Sequence, residues 1–267
     1  MKKLIPALCL LLVSAVLMGT STYAWFSMNT QVTATGMQVQ ASVPTSLVIK
    51  KTADADTAWN NTITLTTPDN NKLNPCTPKA KAANTADALS AFYKLTEAGQ
   101  ALITSATNAG AANLTTTADP ANDTTNFETA GALTETGIAG YVIKDSFDLK
   151  MASSATSQST DIKLSTIEIK NGDTNWVNIY KALRIVFKVT YEGTTTYKVI
   201  DVGTATPAGD TITITDTSNF VTLTAFEKIC TVEMYVWYEG TDEDCFTNNA
   251  LTADELTINL TFEKVID

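Results

Sequence analysis

The densest run of chemically capable side chains is Glu239-Gly240-Thr241-Asp242-Glu243-Asp244, directly after an alternating apolar stretch. Calcium takes hard oxygen ligands from such loops, so Asp242, Glu243 and Asp244 are calcium candidates, although their spacing is not that of a DxDxDG loop. A hydrolase built on Asp242 or Asp244 needs two carboxylates facing one cleft, and nothing in the surrounding sequence marks one. Acidic loops of this kind are more often simply solvated. The chain contains no histidine. That removes Ser-His-Asp and Cys-His nucleophile systems, His-ligated zinc and HExxH metalloprotease sites. No glycine-rich nucleotide motif occurs either. The expectation is a non-enzymatic protein with no catalytic residue, no resident metal and no cofactor.

Charge narrows the partners further. Lys and Arg total 18 against 28 Asp and Glu, a formal net charge of −10, and Arg184 is the one arginine. Phosphate backbones are bound through clustered positive charge, so nucleic acid is not an expected partner. Of the 267 residues 47 are threonine, and 44% are hydrophobic. The second figure opposes disorder. The first suits half-exposed pleated sheet, where β-branched side chains pack well. Trp59, Trp176 and Trp237 are candidates by type for a carbohydrate platform, but Trp237 lies in an alternating strand, where a core or inter-sheet role is expected. The sequons at Asn60, Asn113, Asn122 and Asn259 are chance matches in a chain this rich in Asn and Thr.

The amino terminus reads as a secretory leader. Lys2 and Lys3 precede an apolar run over 4–18, and Thr22 and Ala24 fit the −3 and −1 positions of a signal-peptidase site. A spanning anchor needs roughly 20 apolar residues, which this run does not reach. The expected organisation is a leader over 1–24 and a single β-sandwich domain over 25–267, with signal peptidase as an export partner. Removing Lys2 and Lys3 takes the formal charge from −10 to −12. Cys76, Cys230 and Cys245 then remain. A Cys76–Cys245 or Cys230–Cys245 bridge is conceivable, and buried unpaired thiols are the favoured reading.

Period-2 alternation organises most of the chain beyond the leader. It runs through Val32, Ala34, Met37, Val39 and Ala41 with a phase shift at Gly36, then through Leu47-Val48-Ile49 and through Ile63 and Leu65. Residues 79–137 are rich in Ala, Thr and Asn, and poor in bulk. They read as a largely solvated insertion with one short helix suggested by Leu89, Phe92, Tyr93, Thr96 and Ile103. Beyond it, alternation through Phe147-Leu149-Met151, and through Ile162, Leu164, Ile167 and Ile169, marks further strands. A Glu192-Gly193-Thr194 hairpin signal and two clear strands over 230–238 and 256–262 complete the pattern. Turns every eight to twelve residues indicate an all-β, jelly-roll-like two-sheet sandwich carrying a loop/helix insertion.

The segment Gly19-Thr20-Ser21-Thr22-Tyr23-Ala24-Trp25-Phe26-Ser27, followed by Ala34-Thr35-Gly36-Met37-Gln38-Val39-Gln40-Ala41, resembles the start of the TasA/camelysin group. These are secreted Gram-positive proteins, and TasA forms biofilm matrix fibres. The resemblance covers about forty residues, while 182–186 and 236–242 look like segments of uncharacterised secreted clostridial proteins. It implies a dedicated signal peptidase, a jelly-roll sandwich, and fibres in which the amino-terminal strand of one subunit completes a sheet of the next. Camelysin has been called a metalloprotease, a role that a chain without histidine does not support.

Two aromatics opening a mature chain, Trp25 and Phe26, either pack into their own domain or enter a neighbour. The expected function is that of a secreted structural protein of the cell surface or extracellular matrix. It would self-associate through Trp25, Phe26, Val32, Met37 and Val39. The alternative is a monomeric adhesin or carbohydrate-binding module, with a matrix or glycan partner recognised by the insertion.

Overall fold

A computed structural model describes residues 38–42, 47–66, 73–80, 82–101, 120–152, 159–171, 178–216, 218–226, 228–242, 244–245 and 256–265. Residues 1–24, expected to be a leader, Gly36 and Trp176 lie outside them. The fold is an all-β sandwich. Its first sheet contains β1 (Gln38–Ser42), β3 (Thr62–Thr66), β9 (Thr160–Asn171), β12 (Thr211–Thr215), β13 (Asn219–Leu223) and β15 (Leu256–Lys264), in the order β12-β9-β15-β1-β3, with β13 also lying along β9. The second contains β2 (Leu47–Lys51), β7 (Gly137–Ile138), β8 (Val142–Met151), β10 (Leu183–Tyr191), β11 (Thr194–Asp201) and β14 (Cys230–Tyr238), in the order β11-β10-β14-β8-β2, with β7 on β8. The chain crosses repeatedly from one sheet to the other, as a jelly-roll-like sandwich requires. The described strands all pair antiparallel except β1 with β15.

Alternation decides which side chains meet between the sheets. Four phenylalanines form a continuous edge-to-face chain across the core: Phe147 to Phe262 at 5.8 Å, Phe262 to Phe220 at 5.2 Å, and Phe220 to Phe187 at 5.6 Å. Each such contact contributes about 1 kcal/mol beyond the burial of its rings. The phase slip in β9 has a local cause. Thr261 faces Thr166 while Phe262 faces Leu164, so Ser165 is the extra residue of a β-bulge. The bulge lets Ile162, Leu164, Ile167 and Ile169 all bury on one face, and the Ser165 hydroxyl donates to the Thr261 carbonyl at 3.1 Å.

The β10–β11 hairpin closes as its sequence suggests. Tyr191 faces Thr194, and Glu192 and Gly193 both have positive φ, 47° and 78°. That is the signature of a two-residue type I′ turn.

The insertion departs from expectation. Instead of one helix through Leu89, Phe92, Tyr93 and Thr96, residues Phe92–Leu95 form β5, paired with β4 (Thr77–Pro78) and β6 (Phe127–Thr129) in a small third sheet. The only α-helical turn among the described residues is α1 (Glu97–Ala101), and Ile103 lies outside them. Spacing of three and four residues also fits a turn leading into a strand, and burial makes the choice. Leu89, Phe92 and Ile138 pack on the outer face of the second sheet against Val186, Tyr235 and Trp237. Phe92 meets Trp237 edge-on at 5.4 Å. Trp237 is therefore a core residue of this second cluster rather than of the inter-sheet core. Gly137 permits the close return of the chain: at φ 107° a Cβ there would lie 2.0 Å from the Val142 carbonyl oxygen.

Candidate functional site

Three places bear on function: the acidic loop after β14, the thiols, and the open edge of the sandwich. Of the residues expected to link subunits, Trp25, Phe26, Val32 and Met37 lie outside the described residues. Val39 lies in β1, paired on one side with Ile258 and on the other with Leu65. Val39, expected to enter a neighbour, thus belongs in the folded chain to a strand interior to its own sheet, with a paired strand on each side.

The acids after β14 are occupied by cations and backbone donors. Asp242 accepts from the Arg184 guanidinium at 2.6 Å and caps the Asp244 amide at 3.0 Å. Arg184 also meets Asp201 at 3.0 Å and donates to the Lys181 and Leu183 carbonyls. Asp244 lies 3.4 Å from Lys181. Glu239 is buried and accepts from Trp237 Nε1 and from the Thr241 amide and hydroxyl. Glu243 lies outside the described residues. The arrangement ties β10, β14 and the 3-10 turn at Asn178–Ala182 together. Among the described residues no three Cys, Asp or Glu side chains gather as a metal-holding group.

Cys76, Cys230 and Cys245 are free and buried. Burial pushes the Cys76 thiol well above its usual range, with Glu239 and Cys245 adding to the effect. Burial does the same to Cys245, joined by Asp242 and Glu239. Cys230 is pushed up to about 12 by burial and by Asp148. All three stay protonated at neutral pH and are weak nucleophiles.

The open edge is the feature sequence reasoning did not single out. The two edges of the second sheet differ. Along β2, Ile49 and Asn60 exchange backbone hydrogen bonds at 2.8 and 2.9 Å, so the segment after β2 covers part of that edge. β11 pairs with β10 alone among the described strands, and Thr194, Thr195 and Thr196 are exposed. Between β11 and β13 lies a groove of about 520 Å³, lined by Tyr191, Thr194, Thr196, Lys198, Phe220 and Thr222 among others. Lys198 reaches across it to Asp216 at 2.6 Å and lies 5.9 Å from the centre of the Phe220 ring, closing the core beneath. The run Thr194-Thr195-Thr196 after a hairpin turn was the available signal, since polar residues at inward positions of a strand mark a sheet margin.

Neither a protein-family model nor a curated protein matches this sequence. Among solved structures the chain is similar to that reported as "AvmM Catalyzes Macrocyclization in Alchivemycin A Biosynthesis", at 10% identity and a TM-score of 0.25, covering 48% of this chain and 82% of that one.

Proposed function

We propose that the protein is a secreted, non-enzymatic structural component of the cell surface or extracellular matrix that self-associates through a sheet edge. The observation supporting this most is the eight-residue strand β11, which has no partner on its outer side among the described strands and borders a groove. Such an edge is a template for a strand from another chain, and the groove accepts its side chains. Exposed threonines keep the sheet soluble without placing a like-charge barrier along the edge. The segment before Gln38, with Trp25, Phe26, Val32 and Met37, supplies the apolar side chains a donor strand needs. The TasA/camelysin resemblance of the amino terminus favours the same reading.

The test is assembly. Purified protein lacking residues 1–24 is expected to form oligomers or fibres by light scattering and electron microscopy. In a two-residue hairpin Tyr191 and Thr194 are the closing hydrogen-bonded pair, so the Thr195 N–H points to the free edge. Thr195→Pro removes that donor and is expected to abolish assembly while shifting melting by only a few degrees. Persistent monomers across salt and pH would count decisively against the reading. The groove also favours a second one, a glycan-binding module, because hydroxyls and aromatic rings line it together. Specific signals on a glycan array from a strictly monomeric protein would select that alternative.

A further inference from the structure

We propose that Lys50 and Asp148 join spontaneously in the folded protein through an intramolecular isopeptide bond. Lys50 on β2 stands directly opposite Asp148 on β8. Both residues are buried, at 4% and 5% exposure, and Lys50 Nζ lies 3.2 Å from Asp148 Oδ2. The two carboxyl oxygens have different surroundings. Oδ1 accepts hydrogen bonds from Thr52 Oγ1 at 3.0 Å and Thr231 Oγ1 at 2.9 Å, while Oδ2 faces the amine. Lys50 Nζ also donates to the Asp54 carbonyl at 3.1 Å, and the Asp56 carboxylate stands 3.7 Å away at the solvent margin. The Trp59 ring covers the amine, its centre 5.4 Å from Nζ.

This arrangement contains what amide formation needs. The reaction begins with transfer of one proton across the 3.2 Å contact, from the Lys50 ammonium to Asp148 Oδ2, which gives an amine beside a carboxylic acid. The nitrogen lone pair attacks Cγ, and the π electrons of the C=O bond move onto Oδ1. There the Thr52 and Thr231 hydroxyls already point, placed as oxyanion donors. A second proton leaves nitrogen, is taken by Asp56 and is returned to Oδ2, which departs as water while the C=O bond re-forms. One ammonium and one carboxylate become one amide and one water, with net charge unchanged and no oxidant or cofactor required. Fixed contact replaces chemical activation of the acid. The product ties β2 to β8 covalently and encloses β3 and the insertion within the closed loop. The inference is independent of whether the protein assembles.

The decisive measurement is the intact mass of the full protein, denatured after prolonged incubation in the folded state. A product lighter by one water is expected, together with a branched peptide joining Lys50 to Asp148 after proteolysis. Lys50→Arg and Asp148→Ala are expected to keep the full mass. Replacing Thr52 by Val is expected to slow product accumulation by roughly a hundredfold, as is Thr231→Val. A wild-type protein that keeps its full mass, with Lys50 freely acetylated once denatured, would overturn the proposal and leave the pair a buried ion pair only. The wild-type mass decides this whether or not any variant folds.

Discussion

Glu233 stands between two lysines on the outer face of the second sheet, with Lys144 Nζ 2.7 Å from Oε1 and Lys188 bound to Oε2. Burial pushes its carboxyl up, but hydrogen bonds and charge attraction from Lys144 and Lys188 outweigh that and hold it below the usual range. A carboxyl depressed in the folded state contributes stability that is complete above its unfolded value of about 4.3 and is lost as pH falls through the folded value. Melting temperature followed from about pH 6 to pH 3 is therefore expected to fall more steeply for the wild type than for Glu233→Gln, the two curves converging at the acid end. Parallel curves would show that the lysines do not hold this carboxyl. Nothing local in the sequence announces the trio, because pairing of β14 with β8 and β10 brings the lysines in from distant positions. The residues expected to bind calcium show the same effect in reverse. Asp242 and Asp244 look available in sequence and are already partnered by Arg184 and Lys181.

At the scale of elements, the insertion is the instructive case. Its composition suggests a solvated loop, yet Phe92 is fully buried and Leu89 nearly so. The bulk it lacks is supplied by the sheet beneath it, through Tyr235 and Trp237. β14 is accordingly covered on both faces, and its side chains are buried without interruption from Met234 to Tyr238. Phe92→Ala is expected to cost about 3–5 kcal/mol in urea unfolding if the insertion melts with the sandwich. Hydrogen exchange separates the contributions: amides of β4 to β6 are expected to lose protection first, with β9 and β15 last. Uniform loss would mean that the insertion and the sandwich are one cooperative unit.

For the whole molecule, the position of β1 limits how the proposed self-association can be built. A strand paired on both sides cannot be donated without opening the first sheet, so the proposed self-association draws its donor from the segment before Gln38 rather than from β1. Deleting residues 25–36 is expected to leave the melting temperature within a few degrees of the parent and to abolish assembly. Assembly that survives this deletion would place the link elsewhere. A covalent tie between β2 and β8 would serve such a role, since it holds the second sheet closed under load without adding a cysteine bridge.

Outside the insertion, most strands of the sandwich and their buried faces follow from sequence alone. Two-residue alternation is a local property, and a side chain's burial on one face of a strand needs no knowledge of its partner. The slip between Leu164 and Ile167 is visible for the same reason, as is the Glu192-Gly193 turn, whose chemistry is contained in two residues. Which strands become neighbours is not local. Sheet order brings Arg184 to Asp242, sets Lys50 opposite Asp148 between Thr52 and Thr231, lays the insertion on Trp237, and leaves β11 with one partner among the described strands. Those contacts join segments separated by tens of residues, and they exist only because burying two sheets against each other selects one arrangement of all the strands together.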